Sequence, residues 1–158
     1  MNERRLMGLI LGLFISIQPI PEQLPEPPNT AERIMKNVES SIKDMAELTD
    51  EDIDYLARVV YAEAGNQGLY GQQLVVDVIL NRVDSPRFPN DLISVLNQPC
   101  QFTVVGSGAI WSKTPTEETY EAIWLEFEER QDTEILFFCA GGYNGKPAYQ
   151  YKDHYFSY

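Results

Sequence analysis

The first strong pattern along the chain is a run of apolar residues at helical spacing that begins just after Thr49. Thr49 and Asp52 stand three residues apart, as in a capping box. The apolar positions then repeat with the period of an α-helix: Ile53, Leu56, Ala57, Val60 and Ala64. Gly65 and Asn66 follow, a pair suited to a left-handed C-cap. The pattern therefore predicts a helix between Thr49 and Gly65 with one face in the core.

Two further helices are predicted before residue 97. Gly71-Gln72-Gln73 opens the first, and its inward face is formed by Leu74, Val75, Val78, Ile79 and Arg82. Asp77 is out of phase with that face, whereas Asn81 turns an amide inward, where it needs hydrogen-bond partners. After a loop over 84–89, Asn90 is expected to cap a short helix over 91–96. Three short helices in sequence indicate a helical lobe.

The second half of the chain combines one more helix with short strands. The segment Thr114-Pro115-Thr116-Glu117 is typical of a helix start. The inward stripe expected after it is Tyr120, Ile123, Trp124 and Phe127, and the solvated face is Glu126, Glu128, Glu129 and Arg130. Residues 134–139 and 155–158 are typical of β-strands, with an Asn-Gly pair in the loop over 141–145. The predicted fold class is α+β, a compact domain over 49–158 with a helical lobe followed by a small antiparallel sheet.

The N-terminal residues resemble an export signal followed by a spacer. Two arginines precede an uncharged run from Leu6 to Ile17, which is shorter than the ~20 apolar residues of a membrane span. We expect 1–18 to be an export signal or a short membrane anchor, with a buried N-terminal helix as the alternative. Prolines and then an amphipathic helical pattern over 19–48 predict a spacer. The chain is therefore expected to be exported, either secreted or anchored in the membrane.

Composition and charge narrow the function classes. The 158 residues are 44% hydrophobic, which supports a folded domain rather than a disordered chain. The formal net charge is -12. The phosphate backbone of a nucleic acid would be repelled by such a surface, so nucleic-acid binding is not expected. An anionic glycan would have to be held by local contacts, since long-range attraction is missing.

One glutamate lies where a carboxylate is disfavoured. Glu63 follows Leu56 by seven residues and Val60 by three, which places it on or beside the apolar face near the helix C-terminus. Burial and the negative end of the helix dipole both raise a carboxyl pKa. Glu63 is therefore a candidate general acid. The residues alone leave open a second interpretation, in which a half-exposed Glu63 reaches solvent or accepts a hydrogen bond from a loop amide.

The chain has one histidine and two cysteines. His154 has no second histidine or acidic cluster at metal-ligand spacing, so neither a metal nor another cofactor is expected. Cys100 and Cys139 permit a disulfide in an oxidising compartment, or two reduced thiols. The sequence leaves both possibilities open.

Three motifs follow one another at a recognisable spacing. They are Tyr61-Ala-Glu63-Ala, then Leu80-Asn-Arg-Val83 with Arg87-Phe-Pro-Asn90, then Gln101-Phe102-Thr103. With them, residues 56–105 closely resemble the catalytic domain of the spore cortex-lytic and cell-wall hydrolase family, the germination-type peptidoglycan lysins. The resemblance continues more weakly through 136–138 to 154–156.

The resemblance implies a lysozyme-like fold that cuts the glycan strands of peptidoglycan, commonly as a lytic transglycosylase. Glu63 occupies the position of the catalytic acid/base. Gln101 and Phe102 are placed by the family motif as lining of the cleft, and His154 is placed as a hydrogen-bonding group near it. Tyr143 is a candidate for stacking on a sugar face. A single carboxyl suits transglycosylation, whereas ordinary glycosidases use two.

Two other functions remain open at this point. A Cys/His peptidoglycan amidase or peptidase would use Cys100 or Cys139 with His154. A non-catalytic, membrane-tethered wall-binding module would use neither. The chain also departs from the family pattern in three places. Asn66-Gln67 stand where a second acidic residue is common, Lys152-Asp153-His154 stand where Gly-x-His is common, and Phe137-Phe138-Cys139-Ala140 stand where a strand rich in Tyr and Asn is expected.

Overall fold

The computed structural model describes residues 48–158. The predicted export signal or anchor over 1–18 lies outside the described residues, as does the predicted spacer over 19–48 apart from Leu48. Across the part of the chain that is described, none of the helices has the length and apolar character to span a membrane.

Helices occupy the first two thirds of the described chain. The order is α1 (Asp50–Ala64), α2 (Gly68–Asp84), α3 (Leu92–Leu96), α4 (Thr103–Gly106), a 3-10 helix (Ala109–Ser112) and α5 (Glu117–Glu128). A three-stranded antiparallel sheet follows, formed by β1 (Phe137–Cys139), β2 (Pro147–Tyr151) and β3 (His154–Ser157). The predicted α+β class, with a helical lobe followed by a small antiparallel sheet, is confirmed.

The start of α1 is as predicted, but its end differs. The Thr49 side chain accepts from the Asp52 backbone N–H, and the Asp52 carboxylate accepts from the Thr49 N–H at 3.0 Å, which completes the capping box. The left-handed C-cap predicted at Gly65 is wrong, because Gly65 has φ -60°. Gly65 is needed for space instead: a Cβ there would lie 2.6 Å from the Tyr61 carbonyl oxygen and 2.8 Å from its ring. The positive φ falls at Gly68, at +72°.

Helix α2 is the central element of the fold. It begins three residues before the predicted Gly71, and every residue from Gly71 to Arg82 is buried. The expectation that Asp77 lies away from the core is therefore wrong, since neighbouring elements cover α2 on all sides and Asp77 has 0% exposure. Asn81 is inward as predicted, and its Nδ2 donates to the carbonyls of Asp132 and Ile135, both at 2.9 Å.

Both later helix starts are displaced from their predicted positions. Asp91, not Asn90, caps α3, and its carboxylate accepts from the Ser94 N–H at 2.8 Å. Thr116, not Thr114, caps α5, in a capping box with Thr119. In each case a neighbouring residue of equal capping ability was available one turn or less away.

The inward and outward faces of α5 also differ from the prediction. Ile123 and Phe127 are buried as expected, but Trp124 is 46% exposed. Glu126, placed on the solvated face, has 0% exposure. The reason is that α5 packs along α2 and turns Glu126 toward Gln73, whose Nε2 donates to the Glu126 carboxyl at 2.7 Å.

The sheet has the order β1-β3-β2, with both pairs antiparallel. The sequence predicted β1 and β3 but missed β2 and placed the tight turn at Asn144-Gly145. The two-residue connection is Lys152-Asp153, between β2 and β3. Phe156 of β3 packs with Leu74 and Val78 of α2 and with Ile135. The sheet therefore closes over the face of α2 that α1 and α5 leave free.

Candidate functional site

Glu63, near the end of helix α1, lies in the wall of a cleft of about 590 Å³. The helical period that buries Leu56, Val59 and Val60 brings Glu63 to the edge of the apolar face, where its side chain is half-buried. The cleft is lined by Tyr61, Ala62, Glu63, Gly65, Asn66, Gln67, Ala140, Asp153 and His154. It therefore lies between the end of α1, the α1–α2 turn and the turn that joins β2 to β3.

The ionisation of Glu63 is set by its surroundings. Burial raises the pKa of Glu63 above the usual carboxyl range, and no charged or hydrogen-bonding neighbour in the described chain contributes to the shift. A carboxyl in such a pocket holds its proton at a higher pH than a solvated one does.

His154 is the second predicted site residue in this cleft. It begins β3, is 6% exposed and packs against the Phe138 ring at a centroid distance of 5.2 Å. Burial lowers the pKa of His154, and the nearby Asp153 carboxylate opposes this only in part. The imidazole is therefore neutral at neutral pH. Its buried Nδ1 has no hydrogen-bond partner within residues 48–158.

The other predicted site residues lie outside the cleft lining. Phe102 is 3% exposed and packs in the helical core beneath the Arg82 guanidinium, 5.7 Å from the ring centroid. The prediction that Phe102 lines the cleft is thus corrected, because an aromatic ring at the start of α4 is covered by the core. Gln101 is exposed, and Tyr143 is 44% exposed with its ring against Tyr155. Contact of Gln101 or Tyr143 with substrate stays a prediction.

Sequence reasoning missed several polar residues of the cleft. Asn66, Gln67 and Asp153 line it beside Glu63 and His154. The signal was present in two of the three places where the chain departs from the family pattern, at Asn66-Gln67 and at Lys152-Asp153. Because the carboxyl of Asp153 comes from a turn 90 residues away in sequence from Glu63, helical or strand periodicity gives no hint that the two share a cleft.

Gln67 connects the two turns. Its side chain is only 2% exposed, and its Nε2 donates to Asn66 Oδ1 at 2.9 Å and to Asp153 Oδ2 at 3.2 Å. The Asp153 N–H donates back to Gln67 Oε1 at 3.4 Å. A buried amide that is hydrogen-bonded in this way holds its partners in a fixed arrangement.

The thiols are not part of the cleft, and the acidic side chains of the described residues form no metal site. Cys100 and Cys139 are both free and exposed, and neither lines the cleft that holds His154. Within the described residues there is no group of three or more His, Cys, Asp or Glu side chains placed to hold a metal ion. The chemistry that this arrangement can perform is proton transfer by Glu63, beside a neutral imidazole and a second carboxyl.

Several known proteins are similar to this chain in sequence. A family model described as Cell Wall Hydrolase matches residues 66–156, which include Asn66, Gln67, Asp153 and His154 and begin three residues after Glu63. The spore cortex-lytic enzyme of Halalkalibacterium halodurans is 39% identical over 87 residues, which cover 55% of this chain and 26% of that protein. The spore cortex-lytic enzyme of Bacillus subtilis is 41% identical over 75 residues, which cover 48% and 24% respectively. The chain thus spans about a quarter of the length of these curated relatives.

Two solved structures have the same fold. The catalytic domain of the germination-specific lytic transglycosylase SleB from Bacillus anthracis superimposes with a TM-score of 0.62 at 28% identity, over 70% of this chain and 96% of that one. The catalytic domain of the Bacillus cereus SleB protein gives a TM-score of 0.58 at 31% identity, over 68% and 90%.

Proposed function

Because this chain belongs to the cell wall hydrolase family, we propose that it is an enzyme that cleaves the glycan strands of peptidoglycan, with Glu63 as the catalytic acid/base. The observation that carries the proposal is the half-buried Glu63 carboxyl in the cleft, with its pKa raised by burial. A general acid must be protonated when it meets the leaving oxygen, and burial favours the protonated form of Glu63. The similar structure from Bacillus anthracis is described as a lytic transglycosylase, which supports glycan cleavage as the reaction class.

The proposed reaction uses one protein carboxyl twice. Glu63 donates its proton to the glycosidic oxygen as the bond from that oxygen to the anomeric carbon breaks. The 6-hydroxyl of the same muramoyl residue then forms a bond to the anomeric carbon, and its proton passes to the Glu63 carboxylate. The carboxyl ends in its starting state, and the product carries an anhydro-muramoyl end. The alternative outcome is hydrolysis, in which water attacks and the product carries a reducing end.

His154 and Asp153 are the neighbouring groups proposed to act with Glu63. A neutral imidazole can donate or accept a hydrogen bond, so His154 is proposed to hold a sugar substituent without adding charge. Asp153 is the second carboxyl in the cleft, and it would serve as base if the reaction is hydrolytic. The product therefore distinguishes the two reactions: an anhydro-muramoyl end indicates transglycosylation, and a reducing end indicates hydrolysis.

The place of action follows from the same proposal. Peptidoglycan lies outside the cytoplasmic membrane, so the chain must be exported to reach it. The basic and apolar residues over 1–18 are proposed to direct that export or to tether the protein beside the wall.

The proposal is tested with the full chain on purified peptidoglycan. Loss of turbidity measures cleavage, and mass spectrometry of the released fragments identifies anhydro or reducing ends. Glu63→Gln is expected to abolish cleavage, whereas Cys100→Ser and Cys139→Ser are expected to cleave like the unmodified chain. Loss of activity in a cysteine variant with retention in Glu63→Gln would establish the Cys/His amidase instead. Binding of peptidoglycan without turnover by the unmodified chain would establish a non-catalytic wall-binding module.

A further inference from the structure

The cleft is bounded by two turns that are far apart in sequence. The α1–α2 turn over 65–67 follows Glu63, and the turn Lys152-Asp153 precedes His154. The distance between the Glu63 carboxyl and the His154 imidazole therefore depends on how these two turns are held together.

The side chain of Gln67 makes one of the connections. Its amide pairs with Asp153 in both directions, accepting from the Asp153 N–H and donating to the Asp153 carboxylate. Because Gln67 is only 2% exposed, water does not compete strongly for these groups.

Lys152 makes the second connection, and it does so in an unusual backbone conformation. Its φ is 47°, in the left-handed region where a lysine is uncommon and glycine is favoured. Its ammonium donates a hydrogen bond to the backbone carbonyl of Gln67. The same ammonium lies 3.3 Å from the Cβ position of Gly68 and 5.5 Å from the centroid of the Tyr151 ring. A turn that needed only the backbone conformation would be served better by glycine, so the contact of the lysine side chain is the feature that requires explanation.

We propose that Gln67, Lys152 and Asp153 form a clamp that fixes the spacing of Glu63 and His154 across the cleft, which makes Lys152 a positioning residue for glycan cleavage. The clamp joins residues 85 and 86 positions apart in sequence, and it acts on the two turns that border the cleft. This inference rests on the proposed function. Small displacements of reacting groups cost large factors in rate, so the effect of the clamp falls on turnover.

The test compares three changes at Lys152 in the full chain with a matched control. Lys152→Met keeps the aliphatic stem and removes the charge, and we expect it to lower kcat by roughly 10- to 100-fold with KM changed by less than about twofold. Lys152→Arg, which can donate to the same carbonyl, is expected to retain most of the activity. Lys146→Met is the control, because the Lys146 ammonium also lies near an aromatic ring, 5.1 Å from the Tyr158 centroid. Unlike Lys152, whose ammonium donates to the Gln67 carbonyl, Lys146 makes no side-chain hydrogen bond to the α1–α2 turn within residues 48–158.

Lys152→Gly distinguishes a role of the Lys152 side chain in the clamp from a role of its backbone conformation in the turn. Glycine adopts a positive φ without strain, so this variant is expected to remain folded even if Lys152→Met does not. A role confined to the turn predicts that Lys152→Gly is as active as the unmodified chain. The clamp predicts that it loses activity as Lys152→Met does, while its thermal midpoint is unchanged or higher.

A readout independent of activity comes from His154, the single histidine of the chain. Its imidazole resonances in an untagged protein are expected to shift in Lys152→Met and Lys152→Gly but not in Lys146→Met. Unchanged resonances and full activity in both Lys152 variants would overturn the clamp while leaving the proposed function intact. Full activity of Glu63→Gln would overturn the proposed function, and the resonances of His154 would still report on the clamp.

Discussion

Replacing Asp77 with asparagine is expected to make the stability of the domain less dependent on pH. Asp77 on α2 and Glu126 on α5 are both fully buried. The Glu126 carboxyl already accepts from Gln73 Nε2 at 2.7 Å and from the Gln131 N–H at 2.9 Å. Asp77 Oδ2 accepts from the Asp132 N–H at 2.9 Å, whereas Asp77 Oδ1 lacks a partner among residues 48–158 when both carboxyls are ionised. If Asp77 is protonated, its O–H donates a hydrogen bond to the Glu126 carboxylate. The oxygens of both carboxyl groups then have hydrogen-bond partners.

The surroundings of Asp77 favour the protonated form of its carboxyl. Burial and the adjoining Glu126 carboxyl raise the pKa of Asp77 well above its ordinary value. The Asp132 N–H and the Arg130 guanidinium act in the opposite direction but are smaller effects. The folded protein therefore retains a proton on the pair at neutral pH, where the unfolded chain has released it.

The sign and size of the effect follow from linkage. Between the pKa of an unfolded Asp, about 3.9, and the raised pKa in the fold, the native state binds one more proton than the unfolded state. Asp77 therefore causes the free energy of unfolding to fall as pH rises, by up to ~1.4 kcal/mol per pH unit. From pH 5 to pH 8 the sum is at most ~4 kcal/mol. Asp77→Asn removes the Asp77 proton and keeps an oxygen for the Asp132 N–H. Its side-chain amide can donate to the Glu126 carboxylate in place of that proton, so Glu126 does not need to take it up.

Urea denaturation of the full chain at pH 5, 6, 7 and 8 measures the effect. Glu63 and His154 titrate in both proteins, so their contributions cancel in the difference between Asp77→Asn and the unmodified chain. Asp84→Asn is the matched control, since Asp84 is also on α2 but is exposed, with its Oδ2 2.6 Å from Arg130 Nη1. Asp77→Asn is expected to gain stability relative to the unmodified chain as pH rises, and Asp84→Asn is not. A difference for Asp77→Asn that is the same at pH 5 and pH 8 would refute the shared proton.

Three further predictions concern packing, hydrogen bonding and surface charge. Gly65→Ala forces a Cβ against Tyr61 and is expected to lower the free energy of unfolding by about 1–3 kcal/mol, whereas Gly106→Ala, with nothing within 4 Å of its Cβ position, serves as a control that should change little in the same urea titration. Asn81→Leu leaves two carbonyls without their donor and is expected to cost about 2 kcal/mol or more, measured by the shift of the urea midpoint. Cleavage of the acidic wall by this acidic protein is expected to speed up with moderate salt, and a rate that falls steadily from the lowest salt concentration would contradict this.

Periodicity was sufficient to predict where Glu63 lies on its helix, although its role was left open by the residues alone and was indicated only by the family resemblance. The spacing of Glu63 from Leu56 and Val60 placed it at the edge of the α1 core face, and the structure has it there. Capping chemistry found the start of α1 at Thr49 for the same reason, because the signal is local. Where two adjacent residues could both cap a helix, as Asn90 and Asp91 could, the local pattern did not distinguish them, and the structure has Asp91 as the cap.

The incorrect predictions concern residues whose environment depends on contacts between distant parts of the chain, which no local sequence pattern reveals. An amphipathic period assumes one buried face, but α2 is covered all round, so Asp77 is buried where the pattern made it polar surface. Glu126 was misplaced because its burial depends on Gln73, a partner on another helix. The turn at Lys152 was missed because its lysine takes a conformation that sequence rules reserve for glycine. Asp153 was missed with it.

The pH dependence of kcat/KM on soluble peptidoglycan fragments tests the central claim most directly, because that profile reports the ionisation of the essential acid in the free enzyme. If a buried Glu63 supplies the proton, kcat/KM stays high through weakly acidic pH and declines as pH rises, with a midpoint above the ~4.3 of an ordinary glutamate. A kcat/KM that instead climbs steadily from pH 4 to pH 7 would mean that the working group is a base, and Glu63 would not be the acid of this reaction.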